Sequence, residues 1–202
     1  MREWRDALWD AVPDGAEPER FAERLAFLLG HVAGGDRVLD LGCGDGAFAA
    51  QLLAAGGAVT AADVAPLARA RAALRAPGAS GVLLSDGEPL PFGDDAFDIV
   101  WTGETLEHVA DVTGLLAEAR RVLRAGGTLV ATTPNLARLR VAGEALAGRP
   151  LESRLDPRAD HLRFFSARSL RRVLGDAGFT DVRIDAVDGP PLLRRGLHAV
   201  AR

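Results

Sequence analysis

The sequence predicts an α/β domain with a seven-stranded, mostly parallel sheet and helices on both faces. Three observations point there. Short apolar runs alternate with Ala- and Leu-rich stretches of helical length. The first run, Arg37-Val38-Leu39-Asp40-Leu41, ends in the cluster Gly42-Cys43-Gly44-Asp45-Gly46, as a buried strand feeding a tight turn does. The second run, residues 58–62, ends on an acid, Asp63.

The elements follow in order. Residues 1–34 read as two helices broken at Pro13-Asp14-Gly15, with Phe21, Leu25, Leu28 and Leu29 at helical spacing in the second. Strand 37–41 leads to a helix over 46–55, and strand 58–62 to a helix over 65–75, closed by Pro77-Gly78. Strands follow at 81–84 and 97–102. A helix over 112–123 is stopped by Gly126-Gly127. The fifth strand, 128–133, ends at Pro134-Asn135. A helix over 166–177, closed by Gly178, precedes strands at 180–186 and 197–201. Residues 136–160 interrupt the rhythm, and a long insertion there reads as a lid or pocket wall. The chain, 1–202, reads as one domain.

Composition narrows the function classes. Apolar residues are 48% and charged residues 26%, as in soluble globular proteins. The net charge of −4 gives no general attraction to nucleic acid or to an anionic membrane. No apolar run spans a bilayer, and the first residues lack a signal-peptide core, so a cytoplasmic location is expected. One cysteine excludes an intrachain disulfide and a multi-cysteine zinc site. Every basic side chain is arginine and tyrosine is absent, which excludes a lysine Schiff base, a P-loop lysine and a catalytic tyrosine.

Open parallel sheets bind ligands at the carboxyl ends of their strands, near the switch in strand order. The first strand ends there in Gly-x-Gly-x-Gly, not the Gly-x-Gly-x-x-Gly that cradles a pyrophosphate. This spacing disfavours a nicotinamide oxidoreductase. Asp40 and Asp45 add negative charge, which suits a ligand with cationic groups. Asp63 is placed to accept from both ribose hydroxyls, and Asp86 from an adenine amino group. Cys43 lies inside the loop, where a small apolar side chain suffices, so a nucleophilic role is disfavoured.

The stretches VLDLGCGDGAFA, AADVAP, SDGEPLPFGDDAFDIVW and LLAEARRVLRAGGTLVATTPN together resemble the class I S-adenosylmethionine (SAM)-dependent methyltransferases. The ending FFSARSLRRVLGDAGF is similar to the same family. The resemblance implies a Rossmann-like fold whose last strand runs antiparallel. It implies SAM, which carries an ammonium and a sulfonium, at Asp40, Gly42, Cys43, Gly44, Asp63, Val64, Asp86, Gly87 and Thr102.

After the fourth strand, Glu104, Glu107 and His108 stand at i, i+3 and i+4, and share one face if the segment is helical. Glu-x-x-Glu-His here resembles the metal-dependent O-methyltransferases of ubiquinone biosynthesis and the enzymes that methylate 2′-hydroxyls at small-RNA 3′ ends. Those families add a histidine from a later segment, for which the candidate is His161. Three readings stay open. Glu104, Glu107, His108 and His161 hold Mg²⁺ or another divalent ion. His108, beside Glu107, is a metal-free base. Or the group is structural, a solvated first helical turn.

The expected activity is O-methylation of a small hydroxylated acceptor. The alternatives are an RNA 2′-O-methyltransferase and a non-catalytic SAM-binding partner protein. The Asn-Pro-Pro-aromatic motif of base amino methylation is absent after the fourth strand. The arginines 138, 140, 149, 154, 158, 163, 168, 171 and 172 read as solvated surface rather than an RNA or phosphate track, because acids are interspersed. Nucleic acid is thus disfavoured as a partner, no membrane is expected, and homodimerisation is left open.

Overall fold

The structure is a computed structural model that describes residues 6–148, apart from residue 8, and 161–202. Its seven strands are β1 (Arg37–Leu41), β2 (Ala58–Asp63), β3 (Ser80–Leu83), β4 (Phe97–Gly103), β5 (Leu123–Pro134), β6 (Val182–Val187) and β7 (Gly196–Ala201). They form one sheet in the order β3-β2-β1-β4-β5-β7-β6. β1 pairs in parallel with β2 and β4, β2 with β3, and β4 with β5. β7 is antiparallel to both β5 and β6. The expected sheet and its antiparallel last strand are both present.

Alternation along the central strands splits the core in two, because successive side chains point to opposite faces. Val38, Ile99, Trp101 and Val130 join one cluster. Leu39, Val100 and Leu129 join the other. Helices α1 (Phe21–Leu29), α2 (Ala47–Ala54) and α3 (Pro66–Arg75) cover the first face through Leu28, Phe48, Leu52 and Ala72. Helices α4 (Val112–Val122) and α6 (Ala167–Asp176) cover the second through Leu116, Ala119, Leu170 and Leu174. Phe97 and Ile99 lie in different clusters although two residues apart, and the β4–β5 register shifts between them. A bulge there resets the alternation.

The largest boundary difference from the sequence expectation is the start of the fifth strand, at Leu123 instead of 128. The helix over 112–123 ends at Val122, ahead of Gly126-Gly127, and β5 starts at Leu123, which pairs with Phe97. Strand pairing captures these residues before the glycines can stop the helix. The helix α5 (Arg138–Leu146) occupies the first part of the expected lid, and residues 149–160 lie outside the described residues. So do Arg149, Arg154 and Arg158.

The chain winds outward from β1 through β2 to β3, then returns to place β4 on the other side of β1. The order reverses between β1 and β4, and open α/β sheets bind ligands at the carboxyl ends of such strands. The glycine loop leaves β1 there, and residues 104–108 leave β4 there. The two segments touch: a Cβ added to Gly42 would run into the Thr105 side chain. Among the described residues, no helix is long and apolar enough to cross a membrane.

Candidate active site

Gly42, Gly44 and Gly46 all have positive φ, at +79°, +55° and +83°. This backbone suits glycine and strains other L-residues. The Gly42 and Cys43 N–H groups both donate to the Ala62 carbonyl, at 2.8 and 3.1 Å, so the loop is tied to β2. Gly46 opens α2 and fits against α3, where an added Cβ would lie 2.9 Å from Ala72 Cα. At Gly44 an added Cβ would meet only the end of the Trp9 ring, at 2.6 Å. We therefore expect Gly46→Ala to cost about 1–3 kcal/mol and to weaken SAM binding. Gly44→Ala should cost less, because a side chain can swing and a helix backbone cannot. Urea unfolding and SAM titration of both variants check this. Equal losses would contradict the packing argument.

Asp63 ends β2 and is 8% exposed. Its Oδ2 accepts from Gly44 N–H at 3.0 Å and its Oδ1 from Ala65 N–H at 2.9 Å. Each oxygen keeps a second lone pair, so a loop-holding role does not preclude ligand hydroxyls. Asp40 is 2% exposed. Burial, and then the Asp63 charge, push its carboxyl up to about 8. Asp45 differs from expectation: its carboxylate pairs with Arg75, so its charge is compensated within the fold. Cys43 is buried, and burial pushes its thiol up, which suits a packing role and not a nucleophile. Val64 packs on the second-face core, Thr102 is buried, and Asp86 and Gly87 are exposed.

Asp40 Oδ2 and Thr102 Oγ1 are buried without a hydrogen-bond partner among the described residues. Lying on β1 and on β4, they fit a ligand that brings a cation and polar groups of its own, as SAM does.

The segment after β4 departs from the helical reading. Only residues 106–108 form a turn of 3₁₀ helix, and Glu104 lies before it at a φ of +54°. Glu104 therefore does not share a helical face with Glu107 and His108. Its N–H donates to the Thr132 carbonyl at 2.9 Å, which ties it to β5. Its Oε1 stands 3.9 Å from Arg20 Nη2. Glu107 points inward and is 1% exposed. Its Oε2 accepts from Thr133 Oγ1 at 2.9 Å, whereas its Oε1 is buried without a partner among the described residues. Burial, and then the Glu104 charge, raise its carboxyl well above the ordinary carboxylate range.

His161 arrives from far along the chain. The Glu107 carbonyl accepts from both Leu162 N–H, at 2.7 Å, and Arg163 N–H, at 3.0 Å, which docks the segment against the 3₁₀ turn. The rings of His108 and His161 then lie 4.8 Å apart between centroids. Among the described residues, one group of side chains is close enough to hold a metal ion: Glu107, His108 and His161, with ligand atoms within 4.8 Å of one another. Glu104 is outside this group. A carboxylate oxygen and two imidazoles suit a first-row divalent ion, and the orphaned Glu107 Oε1 gives it a charge to neutralise.

Sequence reasoning missed Arg24. It is 3% exposed, its Nε donates to Thr132 Oγ1 at 3.1 Å, and its guanidinium lies 4.9 Å from the Phe48 ring centroid. Its charge faces Glu104 and Glu107. The signal was present: Phe21, Arg24, Leu25 and Leu28 form one helical stripe, and a cation inside an apolar stripe needs a reason. Thr133, which holds Glu107, had no signal beyond its place in a strand. Arg163, Arg168, Arg171 and Arg172 are exposed, in keeping with a solvated surface.

The glycine loop, the acid ending β2 and the sheet order with its antiparallel β7 together define a nucleoside-binding methyltransferase fold. A methyltransferase-domain family model matches residues 39–131. The malonyl-[acyl-carrier protein] O-methyltransferase of Methylococcus capsulatus is 33% identical over 175 residues, which are 81% of this chain and 58% of that protein. The ubiquinone biosynthesis O-methyltransferase of Mesorhizobium japonicum is 30% identical over 168 residues, 80% of this chain and 66% of that protein. The chain spans about half the length of the curated relatives it matches. One chain of the complex between the Haloferax volcanii Trm112 methyltransferase activator and a methyltransferase shares the fold. Its TM-score is 0.76 at 24% identity, over 97% of this chain and 96% of that one. The chain belongs to the class I SAM-dependent methyltransferases.

Proposed function

We propose that this protein methylates an oxygen of a small hydroxylated acceptor, with a divalent cation held by Glu107, His108 and His161. The observation that carries the reading is the grouping of these three side chains, of which Glu107 has a buried carboxylate oxygen with no partner among the described residues. Two relatives named as O-methyltransferases support the choice of oxygen. SAM supplies a methyl group on a sulfonium, and a bound divalent ion would lower the pKa of an acceptor hydroxyl. The chain's own residues do the rest. The glycine loop allows close approach of the cofactor to backbone. Thr133 fixes one oxygen of Glu107 and leaves the other free to face ligand. The Glu107 carbonyl anchors the segment that carries His161.

Two measurements test this. Calorimetry with Mn²⁺ should give one site that is lost in His161→Ala. Transfer of labelled methyl from SAM to catechol should require Mg²⁺ or Mn²⁺ and stop with a chelator. Transfer that ignores the chelator would remove the metal and leave a simple base. Transfer to RNA but not to catechol would replace the acceptor class. SAM binding without transfer to any acceptor would indicate a non-catalytic partner.

A further inference from the structure

A cavity of about 250 Å³ adjoins the Glu107-His108-His161 group, sharing His161 as a wall. Arg20, Glu104, Asn135, Phe164 and Phe165 also line it. Two of these residues carry opposite charges, and each has a buried polar atom without a hydrogen-bond partner among the described residues. Arg20 immediately precedes α1 with a φ of +52°, and its side chain is 15% exposed. Its Nη1 is buried and has no hydrogen-bond partner among the described residues. The nearest carboxylate oxygens are Glu104 Oε1, 3.9 Å from Nη2, and Asp188 Oδ2, 3.8 Å from Nη1. Both distances exceed hydrogen-bond range. Asp188 is already engaged by Arg195, at 2.8 and 3.3 Å. Glu104 Oε1 is likewise buried without a partner.

A guanidinium N–H and a carboxylate oxygen left dry and unpaired are both costly. A ligand relieves both if it offers an anionic acceptor to Arg20 and a hydroxyl donor to Glu104. We infer that Arg20 and Glu104 form a subsite for a carboxylate and a hydroxyl of the methyl acceptor, so that the substrate is a small hydroxylated carboxylic acid. The carboxylate accepts from Arg20, and a hydroxyl of the same molecule donates to Glu104. Phe164 and Phe165 give its carbon skeleton an apolar wall. The shared His161 sets this subsite next to the group that would receive the reacting oxygen. Placing the acceptor here rests on the O-methylation reading above.

The test is a calorimetric comparison of 3,4-dihydroxybenzoate, catechol and 3,4-dihydroxybenzamide on the full chain with S-adenosylhomocysteine present. The three probes share their two hydroxyls, and the amide keeps the shape of the acid without its charge. The acid should bind about tenfold tighter or more than either neutral probe. Arg20→Met should erase that preference, and Arg20→Lys should keep part of it. Equal affinity of acid and amide for the unaltered protein overturns the subsite, whether or not the variants fold. So does a preference that survives Arg20→Met. Methyl transfer is scored separately. A binding preference without transfer to oxygen defeats the O-methylation reading and keeps the carboxylate subsite. Transfer to catechol and to the acid with equal affinities does the reverse.

Discussion

Glu107→Gln is expected to slow methyl transfer by about 10²–10⁴-fold while yielding a folded protein that still binds SAM. The side chain is almost wholly buried, and the Thr133 hydroxyl that meets Oε2 can donate equally well to an amide oxygen. The substitution therefore keeps the packing and one hydrogen bond. It removes the charge that would hold a divalent ion. Burial already disfavours that charge, so the variant should be no less stable than the parent near pH 8, and its Tm should hold or rise. Mn²⁺ affinity should fall with activity. A structural role predicts the opposite pairing, with lower Tm and retained turnover. Full activity in Glu107→Gln would remove this residue from the site.

Stability of the ligand-free protein should fall as pH rises from about 5 to about 9, by a few kcal/mol on the order expected for two buried acids. Asp40 ionises near 3.9 when unfolded but is pushed up to about 8 in the fold. Glu107 is shifted in the same direction. Between the unfolded and folded values, the native state holds protons that the unfolded chain has released, so raising the pH favours unfolding. Both contributions are fully present below the unfolded values and are lost as pH climbs through the folded ones. Asp98 acts oppositely. Hydrogen bonds from Arg37 and Arg124 hold it below its ordinary range, so its contribution is present at neutral pH and lost in acid. His198, which burial holds down at about 4, also loses its contribution as pH falls below its unfolded value, so a maximum in mild acid follows. Urea unfolding at pH 5, 7 and 9 measures the slope, and Asp40→Asn should flatten it. A level profile in the parent would mean that Asp40 and Glu107 are ionised in the fold, with Arg24 compensating them.

The sheet and the cofactor loop were legible in the sequence because their signals are local. Strand alternation needs only neighbouring residues, and the Gly42-Cys43-Gly44 turn states its own backbone requirement. The acid ending β2 follows from the same βαβ logic. Glu107 and His108 were also named from the sequence, by their spacing and a family resemblance, and His161 by the resemblance. Glu104 was misplaced because the helical face was assumed. A left-handed backbone at that residue, held by the Thr132 carbonyl, turns it toward Arg20 instead.

What only the tertiary structure decided is the electrostatic surroundings of the site. Arg24 meets Thr132 across 108 positions of sequence, and Thr133 meets Glu107 across 26. Such pairs depend on the strand order and on which face each residue takes. Burial does the remaining work, because a carboxylate's proton affinity depends on how much water it has lost. Residue type records that a charge is available, and packing determines whether it is screened, paired or left waiting for a ligand.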